Sequence, residues 1–595
     1  MVSSDRSNPP ARWLIVGYDQ YLEKEIANEI LATLCRYHLD QVSPDGWLTA
    51  GSDIAGYLGD GRFSGLVLFD PDLLGLTAHD QYHLRQCLAL FSKRTDIDVG
   101  VDRRAVAVAK FREAEARCRM TNSCFRAWKQ GRFQFRPLVE RVLHAASMKI
   151  SRVLGDCPSL SDLRPHFGPG ATTQVPKKNA CLLTKLQRVP ACSANFTEPE
   201  EALRQVWRGN GEAEEWVDIE IHAARLSFVP KNAKTDRAIC TEPQLNGMFQ
   251  LAVGDVIADR LRRVGIDIRD QTPNQRAAMR GSISGETATL DLTSASDTVS
   301  LGLVEHLLPE DWNNLLLRLR SCEVEYEGEI LELAKISSMG NGFTFPLETL
   351  IFWALATSVQ EIYARDAEER VLVYGDDIVV ATAAAEPLIS VLLDLGFVPN
   401  ASKSFWKGNF RESCGKDYVL GIDVRPVYSR TRPVYNGLAR ALSARDADPR
   451  MSGSDMFRIH NFYVKTGQHH PASIVESFIH PSVRLRGPQG YGDGHLHSDV
   501  WVSHPVAHKK GWSGYSFDSW CFSTTRMRDD MLERLGEVGK RKNTFVYHPR
   551  HLKRVLRVAT YATYIRENAD RYGEHRLPVP DVRSDTDFFV LPGRG

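Results

Sequence analysis

The sequence predicts an α+β fold, with antiparallel strands and intervening helices, and three local patterns carry that expectation. Val371-Leu372-Val373 and Ile378-Val379-Val380 are apolar runs separated by Tyr374-Gly375-Asp376-Asp377, the pattern of a short hairpin. Thr287-Ala288-Thr289-Leu290 is a β-prone run that ends on Asp291. Leu350-Ile351-Phe352-Trp353-Ala354-Leu355 extends a glycine-containing loop into a helix.

The hairpin is expected to bury its strands and expose its tip. Two adjacent carboxylates then share one small volume, and their repulsion calls for a cation; hard oxygen ligands favour Mg²⁺ or Mn²⁺. An isolated Gly-Asp-Asp is usually an ordinary polar turn. Here the apolar flanks and a third carboxylate in a matching context favour a metal-dependent phosphoryl-transfer site.

Asp291 is that third carboxylate. It ends a strand and opens Leu292-Thr293-Ser294-Ala295-Ser296-Asp297, whose small hydroxyl residues suit a turn or helix start. An Asp at a strand end can face a neighbouring hairpin tip. Asp291, Asp376 and Asp377 would then hold two metal ions about 3.5–4 Å apart, as an in-line displacement requires.

Between these elements, Lys335 to Glu348 contains Ser337-Ser338-Met339-Gly340-Asn341-Gly342. Two glycines allow close approach of backbone to a ligand, so the loop can line a nucleotide or template site; taken by itself it reads more readily as a helix N-terminal loop. Upstream, Val229-Pro230-Lys231-Asn232-Ala233-Lys234-Thr235-Asp236-Arg237 spaces three cations at three-residue intervals. Such a set fits triphosphate oxygens, the alternative being a solvated basic loop.

In this order the basic loop, Asp strand, Gly-Asn loop and Gly-Asp-Asp hairpin resemble motifs F, A, B and C of viral RNA-directed RNA polymerases. The stretches 229–237, Asp-Gln-Thr-Pro-Asn-Gln-Arg at 270–276, 337–342 and Phe-Arg-Glu-Ser-Cys-Gly-Lys at 410–416 resemble more narrowly the replicase β subunit of single-stranded RNA bacteriophages, the Qβ-like leviviruses. Gly-Tyr-Gly-Asp-Gly at 490–494 resembles a C-terminal feature of that family.

The resemblance implies a right-hand polymerase of fingers, palm and thumb, with an antiparallel palm sheet flanked by helices. Residues 1–285 would be an N-terminal extension and fingers, 286–430 the palm with an inserted fingers segment at about 298–335, and 431–595 the thumb and C-terminal region. It implies RNA synthesis from ribonucleoside triphosphates on a single-stranded template. Asp291, Asp376 and Asp377 would bind two Mg²⁺ ions, with Mn²⁺ as the substitute. Lys231, Lys234 and Arg237 would hold the triphosphate, Gly340 and Asn341 would face nucleotide and template, and Asp297 would sense the ribose 2′-hydroxyl. Lys403 would protonate the leaving pyrophosphate. Implied partners are template and nascent RNA, host elongation factors Tu and Ts, and a host ribosomal RNA-binding protein, all in the cytoplasm of the infected bacterium.

Two positions depart from the broader polymerase pattern. The second Asp of motif A usually falls five residues after the first; here that position is Ser296, and Asp297 lies six after Asp291. Many relatives carry Asn four residues after the motif B Thr, whereas Thr344 is followed at that distance by Glu348. A reverse transcriptase would place a residue other than Gly before its Asp pair and an aromatic gate after motif A, where this chain has Gly375 and a Ser/Asp cluster. A non-catalytic RNA-binding protein would have no reason to keep three carboxylates at a metal spacing.

Bulk features agree. A chain of 595 residues, 43% hydrophobic, can bury a large core over several subdomains. Its 74 basic and 74 acidic residues cancel, so any nucleic-acid footprint must be local. One candidate is 538–557, where Lys540, Arg541, Lys542, Arg550, Lys553, Arg554 and Arg557 interleave with Phe545 and Tyr547; the competing reading is a solvated helix face. Eleven cysteines without a Cys-x-x-Cys pair, and a start without an apolar core, indicate a reducing compartment and no signal peptide. No apolar run approaches the ~20 residues that span a bilayer. His495, His497, His504 and His508 fit no common zinc spacing.

Overall fold

A three-stranded antiparallel sheet carries the Gly-Asp-Asp turn, in a computed structural model that describes residues 20–177, 180, 182–199, 202, 218–429, 455–479, 484–491, 493–501, 504–507, 513–526 and 545–559. The chain forms two compact units. One comprises Asp72–Tyr82 and Gly100–Arg425, the other Met1–Pro71, His83–Val99 and Pro426–Gly595.

The first unit begins with two long helices, α1 (Arg103–Lys129) and α2 (Pro137–Leu154). Asp102 caps α1 by accepting from the Arg104 and Ala105 N–H groups, and Pro137 starts α2 at a position where its missing N–H costs nothing. Strands β1 (Ala224–Pro230) and β2 (Asp236–Thr241) form the hairpin that carries the basic loop. Helix α3 (Gln244–Arg263) follows, then α4 (Thr272–Ser284), which ends at Gly285 in the left-handed conformation.

Strand β3 (Thr287–Leu290) is buried throughout and leads to Asp291. The segment 298–335 then contributes α5 (Leu301–Leu307), α6 (Glu310–Leu319), β4 (Glu323–Tyr326) and β5 (Glu329–Glu332). Strand β4 pairs in parallel with β1, so this segment joins the basic hairpin in one four-stranded sheet of order β2-β1-β4-β5. Helix α7 (Thr344–Tyr363) is apolar almost all round because it packs against α2, α3 and the next helix, α8 (Thr382–Asp394). Between α7 and α8 lie β6 (Leu372–Tyr374) and β7 (Asp377–Ala381).

In the central sheet the order is β3-β7-β6, with Leu290 opposite Ile378 and Tyr374 opposite Asp377. Helices cover it, and its inward residues Ala288, Leu290, Val373, Ile378 and Val380 belong to the unit's main core with Leu350, Phe352 and Leu388. A second antiparallel sheet, β8 (Phe410–Ser413), β9 (Lys416–Val419) and β10 (Ile422–Asp423), packs beside α4. The expected hairpin, strand and helix are thus present, and the fold is α+β with antiparallel sheets as the sequence predicts.

In the second unit, helix Gln20–Leu39 packs on helix His469–Ser477, which in turn packs on Asp455–Lys465. His38 sits at its centre, Nδ1 2.9 Å from His83 Nδ1 and Nε2 3.0 Å from Tyr463 Oη. Burial and the neighbouring His83 lower the His38 pKa to about 3, so the ring is neutral. The basic stretch expected as a helix face or RNA contact is neither helical nor fully described. Phe545–Ala559 is a strand paired with Ser513–Arg526, which overturns the helix-face reading, while 538–544 lie outside the described residues. His495 Nε2 meets the Pro488 carbonyl at 2.9 Å, and His508 is outside the described residues. Among the described residues, no helix is long and apolar enough to cross a membrane.

Candidate active site

Ladder register brings the three aspartates together. Because Leu290 faces Ile378, Asp291 leaves the end of β3 in line with Asp377 at the start of β7, and Asp376 occupies the intervening hairpin loop. Gly375 takes the first loop position at φ +62°, which a two-residue hairpin demands. Its N–H donates to Thr349 Oγ1 at 2.9 Å, and a Cβ there would lie 2.3 Å from Phe345 Cε2. The tip is therefore part-buried rather than exposed as the sequence suggests: α7 lays Phe345 over it, the ring 4.9 Å from that of Tyr374.

Burial and crowding make Asp376 and Asp377 poor anions. Burial, then Asp376 and Asp291, push the Asp377 pKa up to about 6; burial and Asp291 raise that of Asp376 as well. Nearby Glu412, on β8, is pushed up to about 7 by burial and by Asp417. The counterweight is Lys403, whose Nζ lies 3.0 Å from Asp291 Oδ2, while Asn400 Nδ2 donates to Asp291 Oδ1 at 3.0 Å. Burial works against the Lys403 cation, yet Glu412, Asp291 and Asp377 outweigh it and raise its pKa.

The donor set consists of carboxylate oxygens that destabilise one another's charge, which suits a hard divalent cation. Among the described residues, no group of three or more His, Cys, Asp or Glu side chains is arranged so as to hold a metal ion, Asp291, Asp376 and Asp377 included. Asp291, Asp376 and Asp377 fit such an ion by chemistry and adjacency. With Lys403 on Asp291, the arrangement is one in which a cation would replace an internal ion pair.

The stretch 270–276 acts as a bracket for this turn. Asp270 accepts from the Thr272 N–H to start α4, whose Asn274 Nδ2 donates to the Asp377 carbonyl at 3.2 Å and whose Gln275 Nε2 donates to the Cys414 carbonyl at 3.0 Å. Cys414 and Gly415 form the β8–β9 turn with φ +48° and +73°, and the Cys414 N–H reaches the Asp377 carboxylate.

Of the three cations on the basic hairpin, Lys231 is the one that feels the carboxylates. Asn232 Oδ1 accepts from the Lys234 and Thr235 N–H groups and so shapes the tip. The Lys231 pKa is lowered by desolvation and by Arg237, Lys403 and Lys110, with Asp291 opposing, and Asp376 also feels the Lys231 charge. Lys231 thus shares the electrostatic neighbourhood of Asp291, and Arg237 lies close enough to act on Lys231. Lys234 is exposed on the tip, and no contact joins it to the aspartates.

The glycine loop is pinned to the basic hairpin from behind. The Cys240 N–H donates to the Met339 carbonyl at 2.9 Å, and Gly340, at φ +119°, passes so close that a Cβ would lie 2.2 Å from the Cys240 carbonyl oxygen. Gly342 presses equally on α3, where a Cβ would meet Leu251 N at 2.5 Å. Asn341 is buried, its Oδ1 accepting from the Phe343 N–H at 3.0 Å, and it supports the start of α7 more than it faces open space.

Asp297 belongs to a buried ion cluster that the sequence reading missed. Lys335 is 0% exposed; its Nζ lies 2.8 Å from Asp297 Oδ1, 3.4 Å from Glu115 Oε1 and 4.2 Å from the Phe111 ring centroid. Burial opposes the ammonium, but Asp297 and Glu115 help raise its pKa overall. A lone Lys within Leu333-Ala334-Lys335-Ile336 was the available sign; Glu115, on α1, offered none. Glu348, on the second turn of α7, is 3% exposed, and Ser296 Oγ donates to its Oε2 at 2.7 Å. Burial, with Asp376 and Asp297 adding to it, pushes its pKa up to about 8 against the pull of that hydrogen bond.

Residues 75–439 match the family described as RNA replicase, beta-chain. The chain belongs to that family. It is 40% identical to the RNA-directed RNA polymerase subunit beta of Escherichia virus Qbeta over 72% of this chain and 71% of that one. It is 43% identical to the corresponding protein of Enterobacteria phage SP over 58% of this chain and 60% of that one, and 38% identical to that of Qbeta virus strain MX1 over 71% and 70%. Among solved structures, the RNA-dependent RNA polymerase of a human picorbirnavirus is similar over 43% of this chain and 55% of that one, at 17% identity and a TM-score of 0.30, too shallow a likeness to bear on the assignment. This replicase chain is an RNA-directed RNA polymerase, and the β3–β7–β6 sheet carries Asp291, Asp376 and Asp377 side by side.

Proposed function

We propose that this polymerase works with two Mg²⁺ ions held by Asp291, Asp376 and Asp377, Mn²⁺ being the substitute, and that the incoming ribonucleoside triphosphate lies between them and the basic hairpin. The observation that carries this reading is the register that sets Asp291 in line with Asp377 beside Asp376. When bound, such ions supply Lewis acidity for the attacking 3′-hydroxyl and the leaving pyrophosphate.

The chain's own residues supply position and charge. Lys231 and Arg237 draw the triphosphate toward the aspartates, with Lys234 meeting it from the exposed tip; Arg binds phosphate bidentately and Lys as a point charge. Gly340 and Asn341 fix the loop on which nucleotide and template rest. Lys403, released from Asp291, is the cation placed to give its proton to the leaving pyrophosphate. Template pairing selects the base.

The substrates are then a single-stranded RNA template, the nascent RNA and ribonucleoside triphosphates. The relatives are named as β subunits, which supports a complex for this chain too: host elongation factors Tu and Ts, with a host ribosomal RNA-binding protein on some templates, in the cytoplasm of the infected bacterium. The test is incorporation of labelled ribonucleotides on single-stranded RNA with Mg²⁺ or Mn²⁺, for wild type and Asp376→Asn, with and without Tu and Ts. Synthesis by wild type and not by the variant supports the site. Equal synthesis by both removes Asp376 from it, and indifference to the factors removes them from the complex.

A further inference from the structure

Lys403 must leave Asp291 before that carboxylate can hold an ion, and a second carboxylate stands nearby to receive it. We propose that Glu412 is the second seat of Lys403: when a divalent cation takes Asp291, the ammonium swings to the Glu412 carboxylate and stays beside the site. Glu412 is thereby a positioning residue that acts through Lys403. The inference rests on the metal site proposed above and deepens it.

Backbone geometry supports the seat first. The Thr289 N–H donates to the Phe405 carbonyl at 2.9 Å and the Phe405 N–H donates to the Thr289 carbonyl at 2.7 Å, an antiparallel pairing that puts Lys403 abreast of Asp291. The chain then doubles back into β8, where the Arg411 guanidinium bonds the Thr287 carbonyl and the Glu412 N–H donates to Thr289 Oγ1 at 3.4 Å. Across this reversal the Phe405 and Phe410 rings meet, their centroids 4.5 Å apart. Lys403 lies two residues before the one ring and Glu412 two residues after the other, so the reversal brings the two together on the flank of β3.

Charge supports it next. Among the described residues Asp291 is the acid in contact with Lys403, yet Glu412 does more than Asp291 to keep the ammonium protonated. The Glu412 carboxyl, 14% exposed, is short of counter-charge: its ion partner among the described residues is Arg425 at 3.8 Å, and Arg425 sits closer to Asp417, at 2.8 Å. A largely buried carboxylate in that position favours the arrival of a cation. Lys403 is free to make the move, because its side chain is 52% exposed and its four-carbon stem is flexible.

The experiment is a Mn²⁺ titration of the full chain, read by the paramagnetic signal of the free ion. It compares wild type, Asp376→Asn, Lys403→Met, and Glu412→Gln and Glu412→Asp each with and without Lys403→Met. Without its second seat Lys403 competes harder for Asp291, so Glu412→Gln is expected to bind Mn²⁺ about tenfold more weakly than wild type. With Lys403→Met already present the same change should cost less than about twofold, since no lysine is left to seat. Equal losses in the two backgrounds overturn the proposal, because Glu412 would then act on the ion directly; so does wild-type affinity in Glu412→Gln. Glu412→Asp, which draws the seat back by one methylene, should show a smaller loss that also vanishes with Lys403→Met, and it decides if Glu412→Gln misfolds. Asp376→Asn keeps the two readings apart. Mn²⁺ bound there as tightly as by wild type sinks the metal site and the seat with it, whereas weakened binding there, with equal losses in the two backgrounds, sinks the seat alone.

Discussion

Lys403 holds Asp291 at 3.0 Å from across the 112 residues that separate them in the chain, and so occupies a carboxylate that the proposed ions need. Lys403→Met should therefore bind Mn²⁺ more tightly, because an internal competitor is gone, while turnover falls about 100-fold through loss of the proton donor. A Mn²⁺ titration and single-turnover rates check both halves. Weaker ion binding in the variant would show that Lys403 organises Asp291 for the ion instead of competing with it.

Asp377→Asn should be inactive and yet more heat-stable without metal. The sign follows from linkage: the folded pKa, about 6, lies above the ordinary aspartate value of 3.8, so the native state keeps this proton to higher pH. Its favourable contribution is full below about 3.8 and is lost as pH rises through about 6, leaving a cost at neutral pH. The neutral amide relieves that cost, and a rise of about 2 °C in the melting midpoint with EDTA at pH 7.5 is expected, shrinking at pH 4. Turnover should fall by about three orders of magnitude or more.

Gly340→Ala should destabilise the polymerase by about 2–4 kcal/mol. At φ +119°, with the Cys240 carbonyl 2.2 Å from the added Cβ, the backbone itself must yield. Denaturant unfolding followed by tryptophan fluorescence measures the loss. Gly328→Ala, at φ +86° in open space, is the comparison and should cost about 1 kcal/mol.

His38 predicts loss of stability toward acid in its own unit. The unfolded ring takes a proton near pH 6.5 and the buried one only near pH 3, so the unfolded state binds more protons between those values and stability falls as pH falls. The cost reaches up to about 2 kcal/mol at pH 5. Melting of wild type and His38→Gln from pH 7.5 to 5 should show a steeper decline in wild type; parallel curves would contradict the burial of a neutral ring.

What could be read from the residues was whatever local pattern records. Alternation and apolar runs marked β3, β6, β7 and α7, and Gly375 with its Asp pair marked the turn. The basic hairpin was visible through the spacing of Lys231, Lys234 and Arg237, but not that Lys231 is the one whose charge reaches Asp291 and Asp376. Long-range partners left no trace. Glu115 meets Lys335 across 220 residues, Asn400 meets Asp291 across 109, and Asn274 holds Asp377 across 103. The hairpin tip was expected in solvent because a polar turn usually is; Phe345, in the first turn of α7, covers it.

The contact between Met339 and Cys240 yokes two parts of the catalytic apparatus that the chain order keeps a hundred residues apart. The basic hairpin and the glycine loop meet at that one backbone contact, and β4 on β1 ties the same sheet to the segment leading into that loop. For the nucleotide site proposed above, the two halves of the grip are thereby one piece: a single jaw for triphosphate and base together.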